Sequence, residues 1–408
     1  MLSADEHSHE TGCRAINQPI GLSSNRVVAA DSHHSLFGTM GLRPLIFLAA
    51  ALLSGPVAAQ EPLDEILPVR GLSIAAPAPE HVDEFVAFIQ QELIPLQVNT
   101  LVLRVDFDYE YESYPEVRGD EALSKEEVRR IVDAARSGSI RVIPLLNLLG
   151  HQSWHGTAKG LLREFPEFDE TPHIELPEEF IWPNEDELYV KSYCPLHLDV
   201  HEVVFALVDE LVEVFEADAF HAGMDEVFYI GHDQCSRCAG KDKAELFADE
   251  VTRIRDHLAA QGRELWIWGD RLLDGETTGL GMWEASTNDT FRAIDLIPRD
   301  VVITDWHYTR AAPTAPLFAM KGLRVISCPF RYPEVATEQL AQMLMYRRNT
   351  TPQTRDLFAG VMQTIWSDAK TFMDQYYGRV DTAHPRGGDQ AATFKALFES
   401  IGRLDVEN

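Results

Sequence analysis

Two adjacent carboxylates, Asp225 and Glu226, close the apolar stretch Phe220-His221-Ala222-Gly223-Met224 and are followed by Val227 and the aromatic pair Phe228-Tyr229. Neighbouring carboxylates repel, so in a partly desolvated site one keeps its proton near neutral pH while the other stays ionised. A proton donor beside a fixed negative charge is the pairing that cleavage of a glycosidic bond needs. The competing reading is a solvated acidic turn in an acidic protein. The dipeptide alone does not separate them.

The elements that must position this pair are legible from hydrophobic period. Val203, Leu207, Leu211 and Val214 share one face of a helix over about 200–215, and a short apolar strand over 219–224 then delivers the carboxylates at its end. The same alternation runs through the chain. Strands are expected at Gly71–Ile74, Thr100–Val105, Arg141–Leu146, 219–224, Glu264–Trp268, Val301–Thr304, Arg324–Ser327 and Gly360–Ile365. Helices are expected at His81–Leu93, from the Ser124-Lys-Glu-Glu127 capping box to about Ser137, and at Ala244–Gln261 and Asp289–Leu296. Further helices are expected at Ala315–Lys321, Glu334–Arg347 and Ala391–Leu404. Eight strands alternating with helices predict an α/β fold, a (β/α)8 TIM barrel forming a single catalytic domain over residues 60–408. An open doubly wound sheet is the alternative, and the missing Gly-x-Gly-x-x-Gly after the first strand counts against it. The Pro- and aromatic-rich insertion from Gln152 to Pro195 is too long for an idle connection and reads as a functional loop.

In such a barrel the chemistry gathers at the carboxyl ends of the strands. Asp106 and Asp108 follow the second strand, His151 the third and the Asp225–Glu226 pair the fourth. Trp268 and Asp270 follow the fifth, Asp305-Trp306-His307-Tyr308 the sixth, Phe330 and Tyr332 the seventh, and Trp366-Ser367-Asp368 the eighth. Singly, each has an ordinary explanation: a core tryptophan, a loop histidine, an aspartate capping the next helix. Jointly, flat aromatic faces suit the C–H faces of a pyranose ring, and carboxylates between them accept hydrogen bonds from sugar hydroxyls.

The 408-residue chain carries a formal charge of −30, which disfavours nucleic acid and anionic membrane as partners and fits a neutral substrate. Residues 40–59 read as a signal peptide: Met40, Arg43, the apolar run Leu45–Leu53 and the small-residue close Gly55-Pro-Val-Ala-Ala59. That run is too short for a stable membrane span. Residues 1–39 are expected to be a misassigned or disordered extension, with the mature protein exported to the periplasm or medium. Cys235-Ser-Arg-Cys238 is a single CxxC, weak as a zinc signal, and an exported protein makes a disulfide an equal reading. A structural staple of that loop, with Cys194 as a further candidate, is the reading favoured over a catalytic role.

These residues carry a resemblance. The chain resembles the catalytic barrel of glycoside hydrolase family 20, the β-N-acetylhexosaminidases, over about residues 70 to 375. His221-Ala-Gly-Met-Asp225-Glu226-Val227 is similar to the family's His-x-Gly-Gly-Asp-Glu motif, with Met224 at the second glycine. Ile143-Pro-Leu-Leu-Asn-Leu-Leu-Gly-His151 resembles a segment ending in Pro-Gly-His, with Leu149 at the proline and Asn147 where the family often has Asp. Trp268-Gly-Asp270 resembles Gly-Trp-Asp-Glu, and Trp366-Ser-Asp368 resembles a closing Trp-x-Glu with an acid one methylene shorter. The family's arginine after strand one has no counterpart in Ile74-Ala-Ala-Pro77, and Tyr332 is the nearest match to its Tyr-x-Asp.

The resemblance implies a retaining, exo-acting hydrolase of N-acetylhexosamine-containing glycans that uses the substrate's acetamido group, with no metal and no cofactor. It implies Glu226 as general acid and base, Asp225 as the acetamido partner, and His151 with Asp106 in support. Trp268, Asp270, Trp306, Tyr332, Trp366 and Asp368 would contact the sugar. The alternatives are a glycosidase of the same fold with another specificity and a glycan-binding protein without turnover. A metal-dependent hydrolase using His221, Asp225 and Cys235 lacks the HExxH-type spacing of such enzymes.

Overall fold

The computed structural model describes residues 62–407 apart from 155, 177–189, 383 and 385–386. The expected extension (1–39) and export signal (40–59) lie outside the described residues, as does the middle of the insertion. Eight parallel strands close into a barrel: β1 (Val69–Ala75), β2 (Thr100–Arg104), β3 (Arg141–Leu148), β4 (Ala219–Gly223), β5 (Glu264–Trp268), β6 (Val302–Trp306), β7 (Arg324–Cys328) and β8 (Phe358–Thr364). Each strand pairs with its sequence neighbours, and β1 pairs with β8 to complete the circle. This is the (β/α)8 fold, and every expected strand is present.

Strand period explains the two apolar layers. In β5, Leu265 and Ile267 face the helices, while Trp266 and Trp268 fill the barrel with Val102, Ile143, Leu145, Val302, Trp306 and Ile326. In β2, Leu101 and Leu103 face outward and Val102 inward, so Arg104 shares the inward parity. Burial of each large side chain stabilises the fold by about 1.5–3 kcal/mol. A slip of one residue would turn a whole strand inside out.

The outer layer includes α1 (Val82–Phe88), α2 (Lys125–Ser137), α3 (Val200–Val214), α4 (Lys243–Ala259), α5 (Ala315–Met320), α6 (Pro333–Asn349), α7 (Ala369–Tyr376) and α8 (Gln390–Glu407). The capping box of α2 forms in both directions: Ser124 accepts from the Glu127 amide, and the Ser124 amide donates to the Glu127 carboxylate. Two expected helices differ. The first is α-helical only to Phe88 and widens into a π-turn over Ile89–Leu93, just before Pro95, which has no amide to continue a helix. The segment expected at Asp289–Leu296 is a 3₁₀ helix over Thr290–Asp295, entered through Asp289 at φ 69°. No helix among the described residues is long and apolar enough to cross a membrane.

At the amino ends of the strands, Arg141 bridges Asp218 (2.6 Å) and Glu264 (2.7 Å), and Arg324 holds the other oxygen of Glu264 (2.6 Å). Burial works against the Glu264 charge, but the two arginines outweigh it and hold the carboxyl below its usual range. These ion pairs fasten the amino ends of β3, β5 and β7 to one another. The opposite end carries the candidate site.

Candidate active site

Beyond β4 the backbone turns sharply. Gly223, Met224 and Glu226 all take left-handed conformations (φ 65°, 67° and 49°), as do Asp106, Leu149 and His151 at the neighbouring strand ends. Such conformations are costly for residues with a Cβ and cluster where a site is held against its local preference. An alanine Cβ at Gly223 would lie 2.3 Å from Asn147 Oδ1 on a left-handed backbone, so the substitution would displace the Asn147 side chain. A Cβ on Gly150 would lie 2.7 Å from the Asp225 carbonyl, so glycine there lets the His151 loop sit directly on the acidic pair.

Asp225 and Glu226 are both buried. His151 Nε2 lies 3.1 Å from Asp225 Oδ2 and 3.4 Å from Glu226 Oε2. Burial disfavours the imidazolium, but the two carboxylates outweigh it and raise the histidine to about 10. Burial likewise opposes the Asp225 charge, and His151 reverses that, holding the carboxyl below its ordinary value. Asp225 is therefore ionised at neutral pH, with a cation on one oxygen. Its other oxygen, Oδ1, is buried and has no hydrogen-bond partner among the described residues. A buried unsatisfied carboxylate oxygen is expensive, which marks it as an acceptor for an incoming donor.

Asp270 lies beneath the pair. Its Oδ2 accepts the Glu226 amide (2.9 Å) and Arg271 Nε (2.7 Å), and its Oδ1 accepts Trp306 Nε1 (3.2 Å). Burial raises it to about 6, against the pull of Arg271 and with the push of Asp225. Arg271, itself fully buried, also donates to the carbonyls of Met282, Trp283 and Ala285, which anchors the loop after β5. His221 sits inside the barrel. Its Nδ1 accepts the Gly223 amide, and its Nε2 donates to Thr304 Oγ1 (2.9 Å), which in turn donates to the Ile267 carbonyl. Burial depresses it to about 3, so it is a neutral strut for the turn before Asp225.

The aromatic residues divide by exposure. Trp268 (1 %) and Trp306 (7 %) form the floor, whereas Trp366 (36 %) presents a ring to solvent. Trp366 donates through Nε1 to the Tyr308 hydroxyl (2.7 Å), its ring centroid is 5.9 Å from that of Trp268, and the Arg104 guanidinium lies over it at 5.1 Å. Burial pushes the Tyr308 phenol up, so it stays protonated.

The structure thus gathers Asp225, Glu226, His151, Asp270, Trp268, Trp306 and Trp366 at one end of the barrel. Three expected aspartates also hold neighbouring protein groups. Asp106 holds Asn147: its Oδ1 accepts both the backbone amide and the side-chain amide of Asn147, and its Oδ2 is 3.9 Å from Arg104. Asp368 caps α7, accepting from the Thr371 amide and hydroxyl, which is the ordinary role weighed for it above. Asp270 is buried with three protein donors on its two oxygens, the Glu226 amide among them, which makes it a support for Glu226. Tyr332 is half-buried, opens α6 and lies under the Arg331 guanidinium at 5.4 Å.

Sequence reading did not single out Arg104 and Arg271, and it placed Tyr308 at the end of the sixth strand without giving it a role. For Arg104 a signal exists: a charged side chain on the inward parity of β2, in register with Ala75 at the end of β1, after which Ala76-Pro77-Ala78-Pro79 carries no arginine.

One stability consequence follows from His151. Its folded value near 10 exceeds the ordinary 6.5, so its pairing contributes fully below about pH 6.5 and is lost as pH rises through about 10. A shift of this size is worth at most a few kcal/mol. In urea melts, wild type should exceed His151→Asn by that margin at pH 6, with the gap shrinking towards pH 10. A gap independent of pH would refute the ion pair.

Comparisons with known proteins bear on the family and the fold. The family described as "Glycosyl hydrolase family 20, catalytic domain" matches residues 103–376. Hexosaminidase D of Bos taurus is 25% identical over 189 residues, covering 44% of this chain and 49% of that protein. A beta-hexosaminidase of Emericella nidulans is 26% identical over 220 residues, covering 48% of this chain and 32% of that protein. The chain thus matches about half or less of these relatives' lengths. Among solved structures, the chitobiase of Flavobacterium johnsoniae aligns at a TM-score of 0.57 with 17% identity, covering 83% of this chain and 52% of that one. The β-N-acetylhexosaminidase of Bacteroides fragilis aligns at 0.55 with 19% identity, covering 82% and 66%. At such identity these structures speak to the fold.

Proposed function

We propose that this chain, which belongs to glycosyl hydrolase family 20, is an exported, exo-acting β-N-acetylhexosaminidase that retains configuration through assistance by the substrate's acetamido group. The observation that carries the reading is Asp225: ionised, clamped by His151 through one oxygen, with its second oxygen buried and unpartnered. An acetamido N–H is a donor of the right kind for that oxygen. Accepting it turns the acetamido carbonyl towards the anomeric carbon and balances the charge that grows on the ring.

Glu226, adjacent in the chain and held through its amide by Asp270, protonates the glycosidic oxygen as the bond to the leaving group breaks. The acetamido oxygen closes on the anomeric carbon from the other face, giving an oxazolinium-like ring. Glu226 then takes a proton from the incoming water, which opens that ring with configuration retained. Trp268 and Trp306 floor the pocket, Trp366 stacks on the sugar, and no step calls for a metal.

The test compares nitrophenyl β-N-acetylglucosaminide with the plain β-glucoside and follows the first-formed anomer by proton NMR. Turnover restricted to the acetamido substrate, releasing the β-anomer first, is the expected result. Cleavage of the plain glucoside at a similar rate, or release of the α-anomer, would overturn the mechanism. Absence of turnover on both by the folded protein would favour a glycan binder instead. Export rests on the segment 40–59, and a secreted protein whose first residue lies near Gln60 is the result expected from amino-terminal sequencing.

A further inference from the structure

A second cluster lies away from the acidic pair. Glu170, Cys194, Cys235 and Cys238 are all buried, and one ligand atom from each falls within 4.8 Å of every other. Cys194 Sγ is 3.6 Å from Cys235 Sγ and 3.2 Å from Cys238 Sγ. These separations exceed the about 2.05 Å of a disulfide bond. They approach the about 3.8 Å edge of a tetrahedron with metal–sulfur bonds of about 2.3 Å.

The fourth member is the independent observation. Glu170 is fully buried, and its Oε1 accepts the His232 amide at 3.0 Å. Its Oε2 has no hydrogen-bond partner among the described residues. A carboxylate in that position needs a cation or a proton. A disulfide would join only two of the three sulfurs. It would leave the third as a buried thiol whose weak S–H is the donor facing a buried carboxylate.

We propose that these four side chains form a structural zinc site. Three thiolates and one carboxylate supply the soft, four-coordinate set that zinc takes in closed sites, with no position left for water. The backbone is built for it. Glu170 and Cys194 come from two antiparallel segments joined by the Glu170 amide to the Ser192 carbonyl (3.0 Å) and the Cys194 amide to the Phe168 carbonyl (2.7 Å). Cys235 and Cys238 come from one tight loop in which the Ala239 amide donates to the Cys235 carbonyl and the Lys241 amide to the Cys238 carbonyl.

The site joins the two loops that the candidate active site depends on. The Tyr193 amide, next to Cys194, donates to the carbonyl of Leu149, two residues before His151. Cys235 lies in the loop that begins at Asp225 and Glu226. Zinc at this point fastens the insertion after β3 to the loop after β4 and so fixes His151 against its two carboxylates, without touching substrate.

The experiment uses the full chain purified without chelator. Elemental analysis, intact mass, thiol titration in denaturant with chelator, and thermal melting are measured together. The expected result is one zinc per chain, every cysteine titrating as a thiol, and a melting temperature that falls when zinc is stripped and recovers when it is returned. Cobalt substituted for zinc should show intense tetrahedral d–d bands with thiolate charge transfer. Cys238→Ser should lose the metal. Should that variant not fold, Glu170→Gln supplies the test, weakening zinc in chelator competition by at least roughly tenfold. A metal-free protein with a mass two hydrogens short and Cys194 linked to Cys235 or Cys238 would overturn the proposal. So would stoichiometric zinc that survives both substitutions, or a protein with free thiols and no metal. None of these outcomes depends on glycosidase activity.

Discussion

Glu226→Gln lowers kcat/KM by roughly 10²–10⁴-fold, the range that positioned proton transfer contributes. The substitution keeps the side chain's shape and leaves the backbone amide bonded to Asp270, so the fold and the floor of the site persist. The transferable proton is removed, and with it one of the two carboxylates that face His151. The loss must therefore depend on the leaving group: large for an alkyl or sugar aglycone, which departs as a poor alkoxide, and smaller for nitrophenolate, which leaves without protonation. A series of aryl and alkyl glycosides, read as kcat/KM against leaving-group pKa, checks this. A loss that is uniform across the series would mean that Glu226 positions the substrate and does not protonate it.

Asp225→Asn has the second largest effect, on the order of 10²–10³-fold in kcat on the acetamido substrate, comparable to removing one preorganised electrostatic partner of a transition state. KM should change less, because the interaction strengthens as charge develops. A second readout is independent of turnover. Asp225 is the foremost of the charges that raise His151 to about 10, so the amide variant should let the imidazole titrate at a lower pH, visible in its NMR signals. The same substitution removes a negative neighbour that helps to raise Asp270 to about 6, so Asp270 should ionise at a lower pH than in wild type. A variant within about threefold of wild-type kcat would sink Asp225's part in substrate assistance. Activity lost without any movement of the histidine would point to a folding defect instead.

The strands were the most legible part of the fold because their signal is local. Thr100–Arg104 and Glu264–Trp268 alternate side chains between two apolar layers, and that period can be read without knowing the partner strand. The acidic pair was legible for the same reason, since two charges directly after an apolar run contradict the run's burial unless they serve a purpose. The aspartates were harder. Asp106, Asp270 and Asp368 each follow a strand and look alike in sequence. Their roles diverge according to which donors the fold brings near: Asn147 for Asp106, the Glu226 amide with Arg271 and Trp306 for Asp270, and Thr371 for Asp368.

By its sequence alone the protein determined an alternating eight-strand barrel, the strand ends at which its charged and aromatic residues lie, and the adjacent Asp225 and Glu226. Tertiary structure decided what those residues touch. The distance from His151 to Asp225 crosses 74 positions, and the one from His221 to Thr304 crosses 83. Cys194 meets Cys235 and Cys238 across more than 40 positions. Such contacts exist only once the barrel has closed, because closure sets the register of every strand and aims the backbone beyond each strand end. A short-range pattern can place a carboxylate at the end of a strand, but whether it binds substrate, steadies a neighbour or caps a helix depends on groups that only the closed fold brings within reach.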